Sequence, residues 1–249
     1  MPALLIAAVL LCLPSLAAGQ APGKWPPDSL INTQVIPHGT PVTQVVGIMR
    51  NFAFDLDVRC TFCHVGNEEM PLAQIDFASD DKRNKLVARQ MMRMVQEVNA
   101  RLDTIPQPGE PRIDVSCATC HRGVSRPVPL ATIISETAMS AGADSAIRSY
   151  RALRERYYGR DAYDFGEGSL NAAGLRAARA GKFNEALALL RVNEEHFPTS
   201  SALHITRGNV QLIRGDTAAA ADAYREALRR EPESAEARGR LRAIGRPMP

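Results

Sequence analysis

A first apolar stripe in the N-terminal half of the chain predicts an amphipathic helix that ends near Asp55. Its apolar residues recur every three or four positions, which is the spacing of one face of an α-helix. Thr40 or Thr43 is expected to cap this helix, because a threonine hydroxyl accepts a hydrogen bond from the first unpaired amides. The apolar face consists of Val42, Val45, Val46, Met49, Phe52 and Ala53. A face of this kind must be buried against something.

A second stripe predicts a longer helix from about Asp81 to Leu102, with Ser79 or Asp80 as its cap. Its apolar face is formed by Leu86, Val87, Met91, Met94, Val95, Val98 and Leu102. Its polar face, which is expected to meet solvent, is formed by Lys82, Arg83, Arg89, Arg93 and Glu97. Both predicted helices therefore present methionine on the face that should be covered.

The C-terminal part of the chain has a different pattern, rich in Ala, Arg, Leu and Glu from Ala143 onward. A helix is predicted from Asp144 to Tyr158, and beyond it residues of matching type recur 34 positions apart. The matching pairs are Gly174 and Gly208, Gly181 and Gly215, Ala186 and Ala220, Leu190 and Tyr224, and Pro198 and Pro232. The segment from about 169 to 232 resembles the tetratricopeptide family, in which small residues let two antiparallel helices approach closely.

The first 21 residues read as a signal peptide, followed by a proline-rich linker over residues 22–40. An apolar run broken by Pro14 is followed by small residues through Ala18, and cleavage is expected between Ala18 and Ala21. About sixteen apolar residues are too few to span a bilayer, which needs about 20. Lipidation of Cys12 is disfavoured because Leu11, rather than a small residue, precedes it. A periplasmic or exported protein is therefore expected.

Two copies of the pentapeptide C-x-x-C-H lie between the helices and after them, at Cys60–His64 and Cys117–His121. This pattern is typical of covalent attachment of c-type haem. The two thiols lie three positions apart and can reach the two vinyl groups of one porphyrin, while the histidine that follows can bind the iron. A tetrahedral zinc site or redox disulfides are the alternatives. Neither accounts for the histidine that follows each pair, so two covalently attached haem c groups are predicted.

The methionines on the helical stripes are candidates for the second axial ligand of each iron. Met49 lies eleven residues before Cys60 and is expected to face His64 across the first haem. For the second haem Met94 is preferred over its neighbour Met91. A core methionine is the alternative reading. His38, just before the first helix, could instead displace a methionine.

The order of these features resembles the photosynthetic reaction-centre cytochrome c subunit family over residues 41–123. The resemblance is carried by the runs GIMRNF, VRCTFCHV, KLVARQMMRMVQEVN and CATCHRG. In that family each haem is built from a helix, a turn and C-x-x-C-H. The resemblance implies that Cys60 and Cys63 hold one haem with His64 and Met49 on its iron. It implies that Cys117 and Cys120 hold another with His121 and Met94, although only two haems are encoded here instead of the family's four.

The predicted fold is mainly α, with a diheme c-type cytochrome domain of little regular sheet followed by an α-helical tetratricopeptide-like repeat domain. The expected boundaries are residues 41–130 for the haem domain, 131–168 for a connecting helix and loop, and 169–249 for the repeats. Trp25, in the linker, is expected to dock on the haem domain. Arg89 and Arg93 could bind haem propionates, since guanidinium matches carboxylate geometry.

The predicted function is electron transfer without catalysis, because an iron with histidine on one face and methionine on the other has no free coordination position. The expected partners are redox proteins or a membrane-bound electron-transfer complex, with the repeats docking onto a protein. No nucleic acid is expected, since the net charge of +3 is not clustered on a basic face. No small-molecule substrate is expected, since an electron relay has no substrate in the enzymatic sense. A diheme peroxidase and a haem-bearing scaffold or sensor are the alternatives.

Overall fold

A computed structural model describes residues 24–106 and 114–247 of the chain, and these residues are mainly helical, which confirms the predicted fold class. The predicted signal peptide lies outside the described residues. The helices are α1 (Val42–Leu56), α2 (Arg83–Leu102), α3 (Cys117–His121), α4 (Leu130–Tyr157), α5 (Glu167–Arg179), α6 (Phe183–His196), α7 (Ser201–Arg214), α8 (Thr217–Arg230) and α9 (Ala235–Ala243). Short 3₁₀ turns cover Cys60–Phe62 and Leu72–Gln74. No helix within the described ranges has both the length and the hydropathy that a membrane span requires.

The described chain forms two compact units, and the division falls inside α1. The first unit contains the described residues up to Ala53 together with those of Val58–Val115, and so includes α2. The second contains Phe54–Asp57 and the residues from Ser116 onward, and so includes α3 to α9. Each C-x-x-C-H motif therefore lies in a different unit.

The first unit has a thin protein core. Its buried apolar residues, among those described, are Val45 and Ile75. The stripe on α2 was expected to be covered, yet Leu86, Val87, Met91 and Met94 are 38–47% exposed. Trp25 stacks on Phe77 with ring centroids 4.7 Å apart, which confirms that the linker docks here.

The polar face of α2 departs from the prediction at Arg89, which is buried rather than solvated. The cause is Asp80, which pairs with Lys85 and Arg89 and so draws both cations inward. The same pairing removes Asp80 from the capping role. Lys82 occupies the N-cap position without a side-chain cap, and the helix begins two residues later than expected, at Arg83.

The second unit is built on α4, which is longer than the helix predicted from Asp144. It begins at Leu130 and bends at Gly142, whose φ of 81° is non-helical. Because glycine has no Cβ, this backbone conformation costs it little. The part before the bend contributes the fully buried Ile134 to a core that also contains Tyr150 and Leu189.

The helices after α4 pack as antiparallel pairs, α5 with α6 and α7 with α8, and α9 covers α8. The glycines of the 34-residue period lie where paired helices approach most closely. Gly174 faces the backbone oxygen of Ala186 and the side chain of Leu190, and Gly208 faces the ring of Tyr224. This geometry confirms the close approach predicted from the period.

Replacing Gly208 with alanine should destabilise the second unit. A Cβ there would lie 2.6 Å from Cδ1 of Tyr224, whose ring is fully buried and whose hydroxyl donates a hydrogen bond to Asn209. Overpacking of this kind costs about 1–3 kcal/mol. Chemical denaturation followed by circular dichroism measures the change. Gly239→Ala is the matched control, because nothing lies within 4 Å of its added Cβ, and it should stabilise α9 by about 0.5–1 kcal/mol. Equal effects of the two substitutions would contradict this account.

Candidate haem sites

The first motif forms a tight turn that aligns its two cysteines. Residues Cys60–Phe62 are a 3₁₀ turn, and the backbone amides of Cys63 and His64 both donate to the carbonyl of Cys60, at 3.2 and 3.0 Å. Side chains three positions apart eclipse each other in this type of turn. The thiols of Cys60 and Cys63 are therefore on the same side, as attachment to one porphyrin requires.

The imidazole of His64 is packed between aromatic and cationic groups. Its ring lies 4.8 Å from the ring of Phe77, and its Nδ1 is buried without a hydrogen-bond partner. The carbonyl oxygen of Phe77 favours the protonated form of the ring, but it is not placed to accept a hydrogen bond from Nδ1. Burial, followed by the charge of Lys85, lowers the pKa of His64 to about 4. The ring is therefore neutral at pH 7, which is the form that binds a metal.

A buried polar network, the Lys85–Arg89 cluster, holds the segment that carries Phe77. Lys85 Nζ donates to the carbonyls of Phe77, Ala78 and Ser79 at 2.7–2.9 Å. Asp80 accepts from Lys85 at 3.1 Å and from Arg89 at 2.9 Å, and Arg89 also donates to the carbonyl of Asn32. Hydrogen bonds from Arg89 and from the side-chain amide of Asn32 hold the pKa of Asp80 well below its usual range.

The second motif lies on α3 and continues into a sharp turn. Ser116 and Thr119 form a reciprocal capping box at the start of the helix. Arg122 and Gly123 then adopt positive φ values of 49° and 81°, which reverse the chain. The amide of Gly123 donates to the carbonyl of Asp55 at 2.8 Å and anchors the turn.

This turn orients His121 for metal binding. Its Nδ1 lies 2.8 Å from the carbonyl oxygen of Val124, which is itself buried. A carbonyl can only accept, so Nδ1 carries a proton, and in the neutral ring the lone pair is then on Nε2. A hydrogen bond of this kind fixes the tautomer and the ring orientation of metal-bound histidines. It is the arrangement expected of an axial ligand.

One cysteine of each motif has the character of a neutral thiol rather than of a reactive thiolate. All four cysteines in the described residues are free. Burial raises the pKa of the Cys63 and Cys117 thiols, and the charge of Asp55 raises that of Cys117 further. Redox-active and metal-binding cysteines have lowered pKa values instead. Among the described residues no three His, Cys, Asp or Glu side chains converge on a common point.

The residues at both motifs fit haem c. Each motif offers a pair of free thiols and a histidine that can bind iron. The first unit also has exposed apolar surface, formed by Leu86, Val87, Met91 and Met94. Large apolar residues that are exposed side by side mark a surface that receives a ligand or partner. A porphyrin is a flat apolar group of the size that such a surface accommodates.

The predicted second axial ligands are placed as follows. Met49 is half-buried on α1 and belongs to the same unit as His64. Met91 and Met94 lie on α2 in the first unit, whereas His121 belongs to the second. His38 is exposed, and its Nδ1 lies 3.0 Å from Oγ1 of Thr33. The ligation of each iron by a particular methionine stays a prediction.

Sequence reasoning missed the Lys85–Arg89 cluster and the acceptor of His121. Lys85 and Arg89 are four residues apart and share a helix face, but charged residues on a helix ordinarily meet solvent. Only the acidic Asp80 just ahead of the helix could have signalled an inward pairing. Val124, three residues after His121, gave no signal, because the acceptor is its backbone carbonyl.

Comparison with known proteins places residues 43–154 in a match to the photosynthetic reaction centre cytochrome C subunit family. A curated relative, cytochrome c-554 of Chloroflexus aurantiacus, is 35% identical over 105 residues. That alignment covers 42% of this chain and 23% of the relative. The chain thus spans less than a quarter of that protein's length. Both matches support a c-type cytochrome.

Proposed function

We propose that this chain is an exported diheme c-type cytochrome that relays single electrons between redox partners. The similarity to the reaction-centre cytochrome family and to a cytochrome c-554 supports electron transfer by a c-type cytochrome. The number of haems rests on the two motifs. The observation that carries the proposal is that both motifs end in a histidine suited to iron, His64 being neutral and His121 holding its proton on Nδ1.

The chain's own residues would hold each haem and limit its chemistry. Cys60 and Cys63 would bind one porphyrin and Cys117 and Cys120 the other, with His64 and His121 binding the irons. A bound haem supplies one-electron transfer, and thioether ligation by methionine favours its reduced state. Met49 and Met94, as second ligands, would exclude oxygen and peroxide from the irons.

Export and a membrane-bound partner belong to the same proposal. The family that matches residues 43–154 suggests a membrane electron-transfer complex as the partner. An exported cytochrome that docks on such a complex would meet it on the outer face of the membrane.

The experiment that tests the proposal is co-expression of the full chain with a haem-attachment pathway, followed by intact mass and visible absorption. Two haems per polypeptide and a shortened N-terminus are expected. A thioether-to-iron band at the red end of the oxidised spectrum should be present. Absence of that band from both haems would favour the peroxidase alternative. A colourless polypeptide would contradict the proposal itself.

We further propose that the helical pairs α5–α8 dock the cytochrome onto its protein partner. On α7, the neighbouring Leu212 and Ile213 are 38% and 44% exposed, a pair of large apolar side chains at the end of a paired helix. An apolar contact of this kind is typical of the centre of a protein interface. The helices otherwise carry no arrangement of side chains that would suggest catalysis.

Replacing Leu212 and Ile213 with glutamate should slow electron exchange between the reduced cytochrome and membranes of its source organism by about tenfold, because interface positions of this kind cost about 1–2 kcal/mol when changed. Stopped-flow absorption measures the rate. Ala218→Glu, at an exposed position on α8, is the control and should leave it unchanged. An unchanged rate in the double variant, with haem content intact, would remove these residues from the docking surface.

A further inference from the structure

The charged side chains buried on α2 are an unusual feature of the first unit. Within this helix the buried residues are Lys85 and Arg89, while the apolar stripe is partly exposed. Lysine and arginine are almost never fully buried unless they are paired. Here two cations share one carboxylate, that of Asp80, which is itself 36% exposed. The cluster therefore carries an excess positive charge inside the unit.

The excess charge lies next to the segment that packs on His64. Lys85 Nζ binds the carbonyl of Phe77 at 2.9 Å, and the Phe77 ring packs on the imidazole. Arg89 lies on the same buried face of α2 as Lys85 and pairs with the same carboxylate, that of Asp80, at 2.9 Å. The carboxylate of Asp76 is exposed and already accepts from the amides of Ala78 and Ser79, so its charge offsets these cations less. The field at the first histidine is thus net positive.

The hydrogen bonds of the two histidines also differ, and this difference too favours reduction of the haem held by His64. His121 donates a hydrogen bond from Nδ1 to the carbonyl oxygen of Val124, at 2.8 Å. Such a bond makes an imidazole a more basic ligand and stabilises the oxidised metal. The Nδ1 of His64 has no partner, and the nearby Phe77 carbonyl is already bound by the Lys85 ammonium. His64 is therefore the weaker donor to iron.

We propose that Lys85 and Arg89 are positioning and electrostatic residues that raise the reduction potential of the haem held by His64 above that of the haem held by His121. This inference rests on the proposed function. A nearby positive charge penalises the ferric state, and the effect is large for a buried charge because the protein interior screens it less than water does. An electron shared between the two haems would reside on the first.

Redox titration of the holoprotein, followed by visible absorption, tests this inference. Lys85→Gln and Arg89→Gln should each lower the reduction equilibrium constant of one haem by about tenfold, or about 59 mV for one electron, and leave the other unchanged. Asp80→Asn removes the opposing anion and should raise the same potential. All three substitutions loosen the same cluster, so an effect of packing alone would shift the potential in the same direction in each. An effect of charge shifts it in opposite directions for the two cations and for Asp80. Arg83→Gln, which removes an exposed charge from α2, should have little effect.

The identity of the affected haem is read from a chain in which Cys117 and Cys120 are both replaced by alanine, so that only the first haem is attached. The shifts should persist there with the same sign and size. Low-spin electron paramagnetic resonance signals of each variant report whether the axial ligands are unchanged. If Lys85→Gln prevents haem attachment, Arg89→Gln and Asp80→Asn still decide the question.

Three results would overturn the inference: unchanged potentials in all cluster variants, a shift of the same sign for Asp80→Asn and Lys85→Gln, or an equal shift from Arg83→Gln. Each of these can occur in a protein that carries two haems, so they leave the proposed function standing. A chain that attaches no haem contradicts the proposed function instead. Mass measurement on every variant separates the two kinds of failure.

Discussion

A chain with Cys60 and Cys63 both replaced by alanine should carry one haem instead of two and should lose order in its first unit. The haem count follows from the motif, since neither thioether bond can form. The loss of order is expected because the first unit has a small core, in which Val45 and Ile75 are the buried apolar residues described. A unit with so little buried apolar surface cannot offset the entropy of ordering its chain. The haem is therefore expected to complete that core.

Intact mass and hydrogen exchange measure the two effects. The mass should fall by one haem, and amide protection in α1 around Met49 should drop by at least about 100-fold, which corresponds to about 2.7 kcal/mol of lost local stability. Protection in α7 and α8 should be unchanged, because these helices share a core with Tyr224, Ala227 and Leu241. The matched control is replacement of Cys117 and Cys120, which should also remove one haem but leave α1 around Met49 protected. Full protection of that part of α1 without the first haem would contradict this view.

The two units illustrate what could be predicted from sequence. The period of 34 residues identified the close approach of paired helices, because glycines such as Gly208 are required wherever backbones or rings pack within contact distance. The C-x-x-C-H spacing predicts both histidines as iron ligands, and the structure gives His121 the hydrogen bond that would orient such a ligand. Each of these patterns is contained within one motif or one pair of consecutive helices, so its outcome depends little on the rest of the fold.

The misses come from interactions that span longer distances. Arg89 was expected in solvent, yet it is buried by pairing with Asp80, nine residues away, and by the carbonyl of Asn32, 57 residues away. The helix predicted from Asp144 is only the second part of α4, because the chain bends at Gly142 without ending the helix. Nor could spacing identify the sixth iron ligands, because two methionines on one helix face are equivalent by pattern.

Met49→Ala should change one haem and leave the other intact. If the Met49 thioether binds the iron opposite His64, its removal abolishes the red-end absorption band of that haem. Axial ligands set haem potentials over about 0.8 V, so the potential of this haem should fall on the order of 0.1 V. Met94→Ala should have the same effect on the second haem. Redox titration with absorption at each step measures both quantities.

The controls for this prediction are the neighbouring methionines. Met91 lies on the apolar stripe of α2 with Met94, whereas Met92 is half-buried and lies outside that stripe. Met92→Ala should therefore leave both spectra unchanged, and Met91→Ala distinguishes the two stripe positions. Unchanged spectra and potentials in Met49→Ala would remove Met49 from the ligand set. If His38→Ala then changes the spectrum of the first haem, His38 is the second axial ligand of that iron. The potential of a haem with two histidine ligands should be lower, because imidazole favours the ferric state more than a thioether does.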